Sequence, residues 1–254
     1  MTAQAAGWAE GDPRTWPVTT DNPYWRAVCR LPLKYEQYWP AGWQVDWYHS
    51  LRTWLDGGKQ GRFPTMREDL TWRYAWAITD PRSLAFVAGA APPEGLVEVG
   101  AGTGYWAWQL AQLGVTTLAF DRDPPHERPN HFHAPRRRGE ARGPNDHRRP
   151  VFYPVAEGGP EVVAGDDGRA LFLCWPPYDA PLAADALAAY DGTRVIYVGE
   201  GEGGCTGDDR FHAMLHTRWD EVATWQPVQF WGIHDWITVY ERRRRRRPRG
   251  RSPR

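Results

Sequence analysis

The rhythm of apolar and polar positions changes near residue 95. From there to residue 241, short apolar runs alternate with stretches of helical spacing. Strands are predicted at GLVEVG, VTTLAFD, RALFLCW and TRVIYVGE, with a further short one at VFYPV, and helices follow most of them. Such alternation is typical of an α/β fold with a mostly parallel sheet. The runs WQPVQFW and DWITVYE leave little room for a helix between them, and they predict a hairpin whose last strand is antiparallel.

An aromatic segment, residues 21–90, precedes this region. The stretch DLTWRYAWAI has helical spacing, and Asp80 followed by Pro81 marks the start of a further helix. We therefore expect a mostly helical, Trp-rich cap over residues 21–90. Composition predicts the other boundaries: a flexible N-terminus at 1–20, the α/β domain at 91–241 and a disordered, arginine-rich tail at 242–254.

Composition narrows the class of protein. The 254 residues include 16 tryptophans, and acidic and basic side chains balance at 31 each. No run approaches the roughly 18 apolar residues of a membrane span, and no basic segment with a following apolar run predicts a signal peptide. The three cysteines have no metal-like spacing, which favours a reducing compartment. We expect a cytoplasmic protein that neither enters a membrane nor holds a metal.

The turn after the first strand of the α/β region is rich in glycine. A dinucleotide-binding turn needs the spacing G-x-G-x-x-G, whereas Gly100, Gly102 and Gly104 follow G-x-G-x-G and Tyr105 occupies the place of the third dinucleotide glycine. Glu98 lies two residues before the first glycine, where its carboxylate would repel a pyrophosphate. The same carboxylate suits a ligand that carries an ammonium and a sulfonium.

The run EVGAGTG resembles the first motif of class I S-adenosylmethionine (SAM)-dependent methyltransferases. The resemblance covers residues 95–240 and implies a Rossmann-like sheet of seven strands, SAM as the cofactor and methyl transfer as the reaction. It implies that Glu98 orients the methionine end of SAM and that Asp121 holds the ribose. The cofactor-binding residues that the resemblance implies are Glu98, Gly100, Ala101, Gly102, Thr103, Gly104, Asp121 and Arg122. By analogy of position in the segment before the sheet, Tyr74 is added to this set, and Trp76 is expected near the cofactor.

A second motif ends the strand RALFLCW. The sequence WPPYD resembles the [DN]-P-P-[YFW] motif of amino methyltransferases, in which the first side chain and a proline carbonyl accept hydrogen bonds from an amine while the aromatic ring packs on the acceptor. Pro176, Pro177 and Tyr178 match the motif, but Trp175 departs from it because an indole donates a hydrogen bond and accepts none. The resemblance implies an acceptor pocket at Trp175, Pro176, Pro177 and Tyr178, with nitrogen favoured and oxygen open. The alternative is a rigid Pro-Pro turn with a packed tyrosine.

Candidate proton acceptors lie in two loops. Glu200 and His212 belong to VGEGEGGCTGDDRFH, which follows a strand and so faces the edge where ligands bind in α/β sheets. His133 lies in ERPNHFHAP, the long connection after Asp121. These three are the catalytic candidates. The alternatives are a glycine loop whose Asp208 caps a helix, and solvated histidines.

Three functions remain open. A methyltransferase that acts on a nitrogen, or an oxygen, of a small-molecule acceptor is the first hypothesis. A nucleic-acid methyltransferase that uses the arginine tail against phosphates is the second, although a solvated tail is the simpler interpretation of those residues. The third is a SAM-binding module without catalysis. The sequence predicts no oligomeric state.

Overall fold

The computed structural model describes residues 11–37, 42–46, 66–125, 151–166 and 168–243. The described helices are α1 Pro23–Val28, α2 Met66–Arg73, α3 Pro81–Ala90, α4 Tyr105–Ala111, α5 Leu182–Ala189 and α6 Asp209–Arg218. The described strands are β1 Leu33–Glu36, β2 Gly42–Val45, β3 Leu96–Val99, β4 Thr117–Asp121, β5 Val155–Glu157, β6 Ala170–Cys174, β7 Arg194–Gly199, β8 Trp219–Trp225, β9 Gln229–Phe230 and β10 Trp236–Arg242.

The main sheet has seven strands in the order β5-β4-β3-β6-β7-β10-β8. The strands from β5 to β7 in this order are parallel, and β10 is antiparallel to both of its neighbours. The predicted Rossmann-like sheet with an antiparallel last strand is confirmed. Because β10 runs against β7, its first residue, Trp236, pairs with Gly199 at the carboxyl end of β7. The chain just before β10 therefore meets the same sheet edge as the turns that follow the parallel strands.

Alternating side chains of the central strands build a core on each face of the sheet. Leu96 of β3 packs with α3 and α4 residues, including Leu84 and Leu110, while its neighbour Val97 packs with α5 and α6 residues. This is the two-residue period of a strand that is covered on both faces. All four residues of β3 are buried, and Glu98 is the one charged residue among them.

The described part of the aromatic N-terminal segment contains strands as well as helices. Beside three helices it contains the antiparallel hairpin β1-β2, and β9 adds to this hairpin in parallel to make a second, three-stranded sheet. The hairpin is held by an edge contact between Tyr35 and Trp43, whose ring centroids lie 5.5 Å apart. Aromatic side chains suit strands as well as helices, so their density alone does not select the helix.

Several boundaries differ from those expected. In chain order the sixth strand of the main sheet is β8, which begins directly after α6 and ends at the first residue of the run WQPVQFW. The rest of that run supplies only β9 of the small sheet. The strand predicted at VFYPV is β5, which begins only at the last residue of that run, Val155. β10 extends to Arg242, whose guanidinium donates to the carbonyl of Gly192 at 2.8 Å, so the strand runs one residue into the arginine-rich stretch.

Two predicted helix starts are confirmed. The carboxylate of Asp80 accepts from the amides of Arg82 and Ser83, and that of Asp208 accepts from the amide of Phe211. None of the helices in the described ranges is long and apolar enough to cross a membrane.

Candidate functional site

A cavity of about 320 Å³ opens at the carboxyl edge of the main sheet. It lies beyond β3, β4 and β6, where ligands bind in folds of this kind. Its walls come from the segment before α3, the glycine turn, the end of β4 and the turn after β6. The lining residues are Tyr74, Ala75, Trp76, Glu98, Gly100, Ala101, Tyr105, Trp106, Asp121, Arg122, Asp123, Cys174, Trp175, Pro176, Pro177, Ala180, Pro181 and Leu182.

The glycine turn has a backbone that favours glycine at each of its three positions. Gly100, Gly102 and Gly104 have φ angles of +82°, +55° and +71°. A Cβ on Gly104 would also lie 2.9 Å from the Cβ of Tyr153, so two independent constraints act at this position. The neighbouring Thr103 hydroxyl donates to the Tyr74 carbonyl, which ties the turn to the N-terminal segment.

Glu98 lines the cavity and is 2% exposed. Its Oε2 atom is buried and has no hydrogen-bond partner among the described residues. Burial, and secondarily the charge of Asp121, raise the pKa of Glu98 to about 8. A buried acceptor without a donor is costly. The arrangement suits a ligand that brings a cationic donor into the cavity.

Asp121 ends β4 and braces the glycine turn. Its Oδ2 accepts from the Gly102 amide at 2.8 Å and its Oδ1 accepts from the Asp123 amide at 2.9 Å. Burial raises the pKa of Asp121, against the lowering effect of these two bonds. A carboxylate oxygen can accept more than one hydrogen bond, and a ribose hydroxyl is a donor of the kind it takes. Asp123 also lines the cavity and was not among the predicted site residues, although it belongs to the same DRDPP run.

These features fit the cofactor that the sequence implied. The nearest side-chain atom to a Cβ built on Gly100 is Cδ2 of Leu182, at 3.8 Å, so the turn leaves space above its backbone. Among the described residues of the lining, Glu98, Asp121 and Asp123 carry three carboxyl groups, and Arg122 is the one basic residue. A cation is favoured there over a pyrophosphate.

The turn after β6 presents Trp175 in an unusual backbone conformation. Its φ angle is +52°, the one positive value at a non-glycine residue among those described. Its indole N–H donates to both carboxylate oxygens of Asp235, at 2.9 and 3.0 Å. The Trp76 ring stacks on it with centroids 5.4 Å apart and planes at 17°. Trp175 and Trp76 thus form one aromatic wall of the cavity.

Asp235 was not predicted as a site residue. It lies directly before β10, is buried, and has a pKa raised to about 7, chiefly by burial, with the Trp175 hydrogen bond acting in the opposite direction. The antiparallel direction of β10 brings it to the sheet edge where the parallel strands end. The signal in the sequence was this predicted antiparallel strand, since an acid at its start must lie at that edge.

The predicted residues Glu200, His212 and Tyr178 lie outside the cavity lining. The Glu200 carboxylate accepts from the amides of Cys205, at 2.7 Å, and His234, at 2.9 Å. His212 is buried, and its Nε2 donates to the Thr206 carbonyl at 2.9 Å. Tyr178 is 59% exposed. Pro176 and Pro177 do line the cavity.

His133, with its neighbours His126 and His131, lies outside the described residues. Within the described ranges, no group of three or more His, Cys, Asp or Glu side chains is arranged to hold a metal ion.

No protein-family model matches the sequence, and no curated protein matches it either. Solved structures of similar fold include magnesium protoporphyrin IX methyltransferase from Synechocystis PCC 6803 with bound SAM, at 10% identity over 76% of this chain and 91% of that one, with a TM-score of 0.41. N-methyltransferase NodS from Bradyrhizobium japonicum WM9, in complex with S-adenosylhomocysteine, matches at 12% identity over 77% and 97%, with a TM-score of 0.39. The mitomycin 7-O-methyltransferase MmcR matches at 15% identity over 87% and 69%, with a TM-score of 0.38.

The TM-scores of these three similarities lie below 0.5. The order of the seven strands, the antiparallel β10 and the glycine turn after β3 give the chain a Rossmann-like fold.

Proposed function

We propose that the chain is a SAM-dependent methyltransferase that acts on a nitrogen or an oxygen of a small-molecule acceptor. The observation that carries this proposal is the Oε2 atom of Glu98, which is buried in the cavity wall without a partner among the described residues. In a protein interior such an acceptor is nearly always satisfied, so an unmet one at a cavity indicates a ligand with a donor.

The two strand acids and the glycine turn would each contribute to this function. Glu98 would accept from the ammonium of the methionine end, and Asp121 would accept from the ribose hydroxyls. The positive φ angles of the turn let the backbone pass close to the ligand. Bound SAM would supply a methyl group on a cationic sulfur, which a nitrogen or oxygen nucleophile can attack. The protein then has to orient the acceptor and exclude water.

We assign structural parts to two of the candidate bases. The carboxylate of Glu200 holds the loop after β7 to the chain before β10, because it accepts from amides on both. His212 is held by the Thr206 carbonyl, which uses its Nε2 proton. His133 stays a candidate base on the sequence alone. A small acceptor would enter at the aromatic wall of Trp76 and Trp175, because Trp175 follows β6, on the other side of β3 from Arg122 and the β4 end.

The test begins with binding. Calorimetry on the wild type should show SAM and S-adenosylhomocysteine binding, and Asp121→Ala should weaken it by about 1.5–3 kcal/mol, the cost of a charged hydrogen bond. Asp220→Ala is a matched control, because Asp220 is an exposed acid of β8 that pairs only with Arg243 among the described residues. Equal affinities in all three proteins would remove Asp121 from the site, and no SAM binding by the wild type would reject the proposal.

The acceptor class is tested with isotopically labelled SAM in cell extract. Label in the small-molecule fraction supports the proposal, whereas label in RNA or DNA supports the second candidate, a nucleic-acid methyltransferase. One observation favours that candidate: Tyr178 is exposed beside the cavity-lining Pro177, so its ring could meet an acceptor that extends beyond the cavity. Truncation after Arg243 would test the tail without removing the β10 residue Arg242, which hydrogen-bonds Gly192 and Tyr190.

A further inference from the structure

Charged side chains contact the two tryptophans of the aromatic wall. Asp235 is 2% exposed, and the Trp175 indole N–H reaches both of its oxygens. The charge of Glu200 acts on Asp235 from the loop after β7, and that of Arg67 acts from α2. The guanidinium carbon of Arg67 lies 5.5 Å from the Trp175 ring centroid and 5.7 Å from that of Trp76. The wall is therefore a cluster of two rings, one cation and one buried carboxylate.

This cluster leaves few hydrogen-bond acceptors for an amine. The Trp175 indole has no acceptor, and Asp235 already uses its one donor. The Pro176 carbonyl accepts from the Gly207 amide at 2.9 Å. Of the two groups that hold an amine in the [DN]-P-P-[YFW] motif, the side chain is replaced by a ring, and the carbonyl already accepts one hydrogen bond within the loop. The side chain that residue 175 brings to the cavity lining is an indole ring, not a hydrogen-bond acceptor.

A positive charge on the acceptor is disfavoured by Arg67. An indole face attracts a cation, but here the guanidinium already lies against both rings. A second cation on the same pair of rings would be repelled by the first. A neutral or anionic flat ring gains the stacking and edge contacts of aromatic pairs without this cost.

The left-handed backbone at Trp175 supports a positioning part for Asp235. A bulky side chain at φ +52° is strained, and such strain persists where the surroundings hold it in place. The paired oxygens of Asp235 and the stacked ring of Trp76 are the contacts that hold the indole here.

We infer that Asp235 is a positioning residue that fixes the Trp175 indole as an acceptor wall, and that the acceptor is a planar aromatic molecule rather than an aliphatic or cationic amine. This inference rests on the proposed methyltransferase function. It predicts a preference for flat rings that depends on Trp175 and, through it, on Asp235.

The first test is spectroscopic and needs no acceptor. In protein labelled with ¹⁵N at its tryptophan indoles, the Trp175 signal is the one that Trp175→Phe removes. Asp235→Ala should move this signal upfield, because the N–H loses its carboxylate, and Asp235→Asn should largely restore it, because the amide oxygen still accepts. A Trp175 signal that is the same in wild type and Asp235→Ala would overturn the positioning part of the inference.

The second test compares matched pairs of probes on protein saturated with S-adenosylhomocysteine. Phenol against cyclohexanol, and benzoate against cyclohexanecarboxylate, differ in flatness and share their polar group. Ligand-observed NMR should show the aromatic member binding about three- to tenfold tighter, the worth of an aromatic pair. Trp175→Leu should bring this ratio near one, Asp235→Ala should lower it, and Asp235→Asn should keep it. Trp231→Leu, at a half-exposed tryptophan outside the cavity lining, is the control that should leave the ratio unchanged.

Two outcomes would overturn the acceptor class: a ratio unchanged by Trp175→Leu, or cyclohexylamine that competes with phenol at equal affinity. Failure of the proposed function is distinct, since it would appear as a wild type that does not bind S-adenosylhomocysteine. If Asp235→Ala does not fold, Asp235→Asn and Trp175→Leu still decide the result, because the first should keep the preference and the second should lose it.

Discussion

Glu98 lies one residue before the end of β3, Asp121 ends the neighbouring parallel strand β4, and the charge of Asp121 adds to burial in raising the pKa of Glu98 to about 8. Two acids that face one cavity disfavour each other's ionisation. A cationic ligand reverses this effect, because it stabilises both carboxylates. The cavity therefore favours a positively charged ligand, and the affinity for such a ligand should depend on pH.

SAM affinity should rise with pH up to about 8, because Glu98 must lose its proton to meet the ammonium and its pKa in the ligand-free protein is about 8. The slope is at most about tenfold in affinity per pH unit. Calorimetry from pH 6 to 9 on wild type and Glu98→Gln measures it. Because the amino group of SAM titrates in the same range in both proteins, the difference between them isolates Glu98. Identical pH profiles would contradict the assignment.

Stability of the ligand-free protein should change with pH in the opposite sense. The folded-state pKa of Glu98 lies above its ordinary value of 4.5, so between about pH 4.5 and 8 the folded protein holds a proton that the unfolded chain has released. The Glu98 contribution to the free energy of unfolding falls as pH rises through this window, by up to about 1.4 kcal/mol per unit. Urea denaturation should show that Glu98→Gln gains stability relative to wild type as pH rises. Glu221→Gln, which changes an exposed acid of β8, is the control. Parallel curves of unfolding free energy against pH for wild type and Glu98→Gln would contradict a raised pKa at Glu98.

Gly104→Ala and Gly114→Ala separate backbone strain from crowding. Both glycines have positive φ, +71° and +81°, but a Cβ on Gly104 would meet Tyr153 at 2.9 Å while one on Gly114 meets nothing within 4 Å. Gly114→Ala should cost about 1–2 kcal/mol of unfolding free energy from the left-handed backbone alone. Gly104→Ala should cost a further 1–3 kcal/mol or so from overpacking and should weaken SAM binding, which Gly114→Ala should leave intact. Denaturation measures the loss of unfolding free energy, and calorimetry measures the loss of SAM affinity. Equal losses in the two variants would show that contact with Tyr153 does not constrain residue 104.

Trp175→Asn and Tyr178→Ala test the two ends of the Pro-Pro turn. Asn tolerates the left-handed backbone at residue 175, but it removes the ring and the partner of Asp235. Transfer of label to the wild-type small-molecule acceptor should fall by about tenfold or more, with SAM binding nearly intact. Tyr178→Ala should have little effect on a small acceptor, because its ring is 59% exposed and lies outside the cavity lining. A large loss in Tyr178→Ala would point to an acceptor that extends past the cavity.

The N-terminal segment contains contacts that local patterns do not predict. Beside its helices, residues 33–36 and 42–45 pair as a hairpin, and β9 joins them from a point far along the chain. Asp80 was correctly predicted as a helix cap, but its carboxylate also accepts from the Val228 amide at 3.0 Å. That second bond joins α3 to the chain before β9, and no local pattern contains it.

The sequence by itself determined the glycine turn, the place of Glu98 on the strand before it, the acid Asp121 and the alternation that builds the main sheet. Each of these depends on neighbours within a few residues, on a period of two or 3.6, or on a turn that requires glycine. Only the tertiary structure decided that Asp235 holds Trp175, that Trp76 stacks on it, and that Glu200 and His212 are bonded within their loop. These contacts join residues from different strands and loops, and they exist because the antiparallel β10 starts where the parallel strands end.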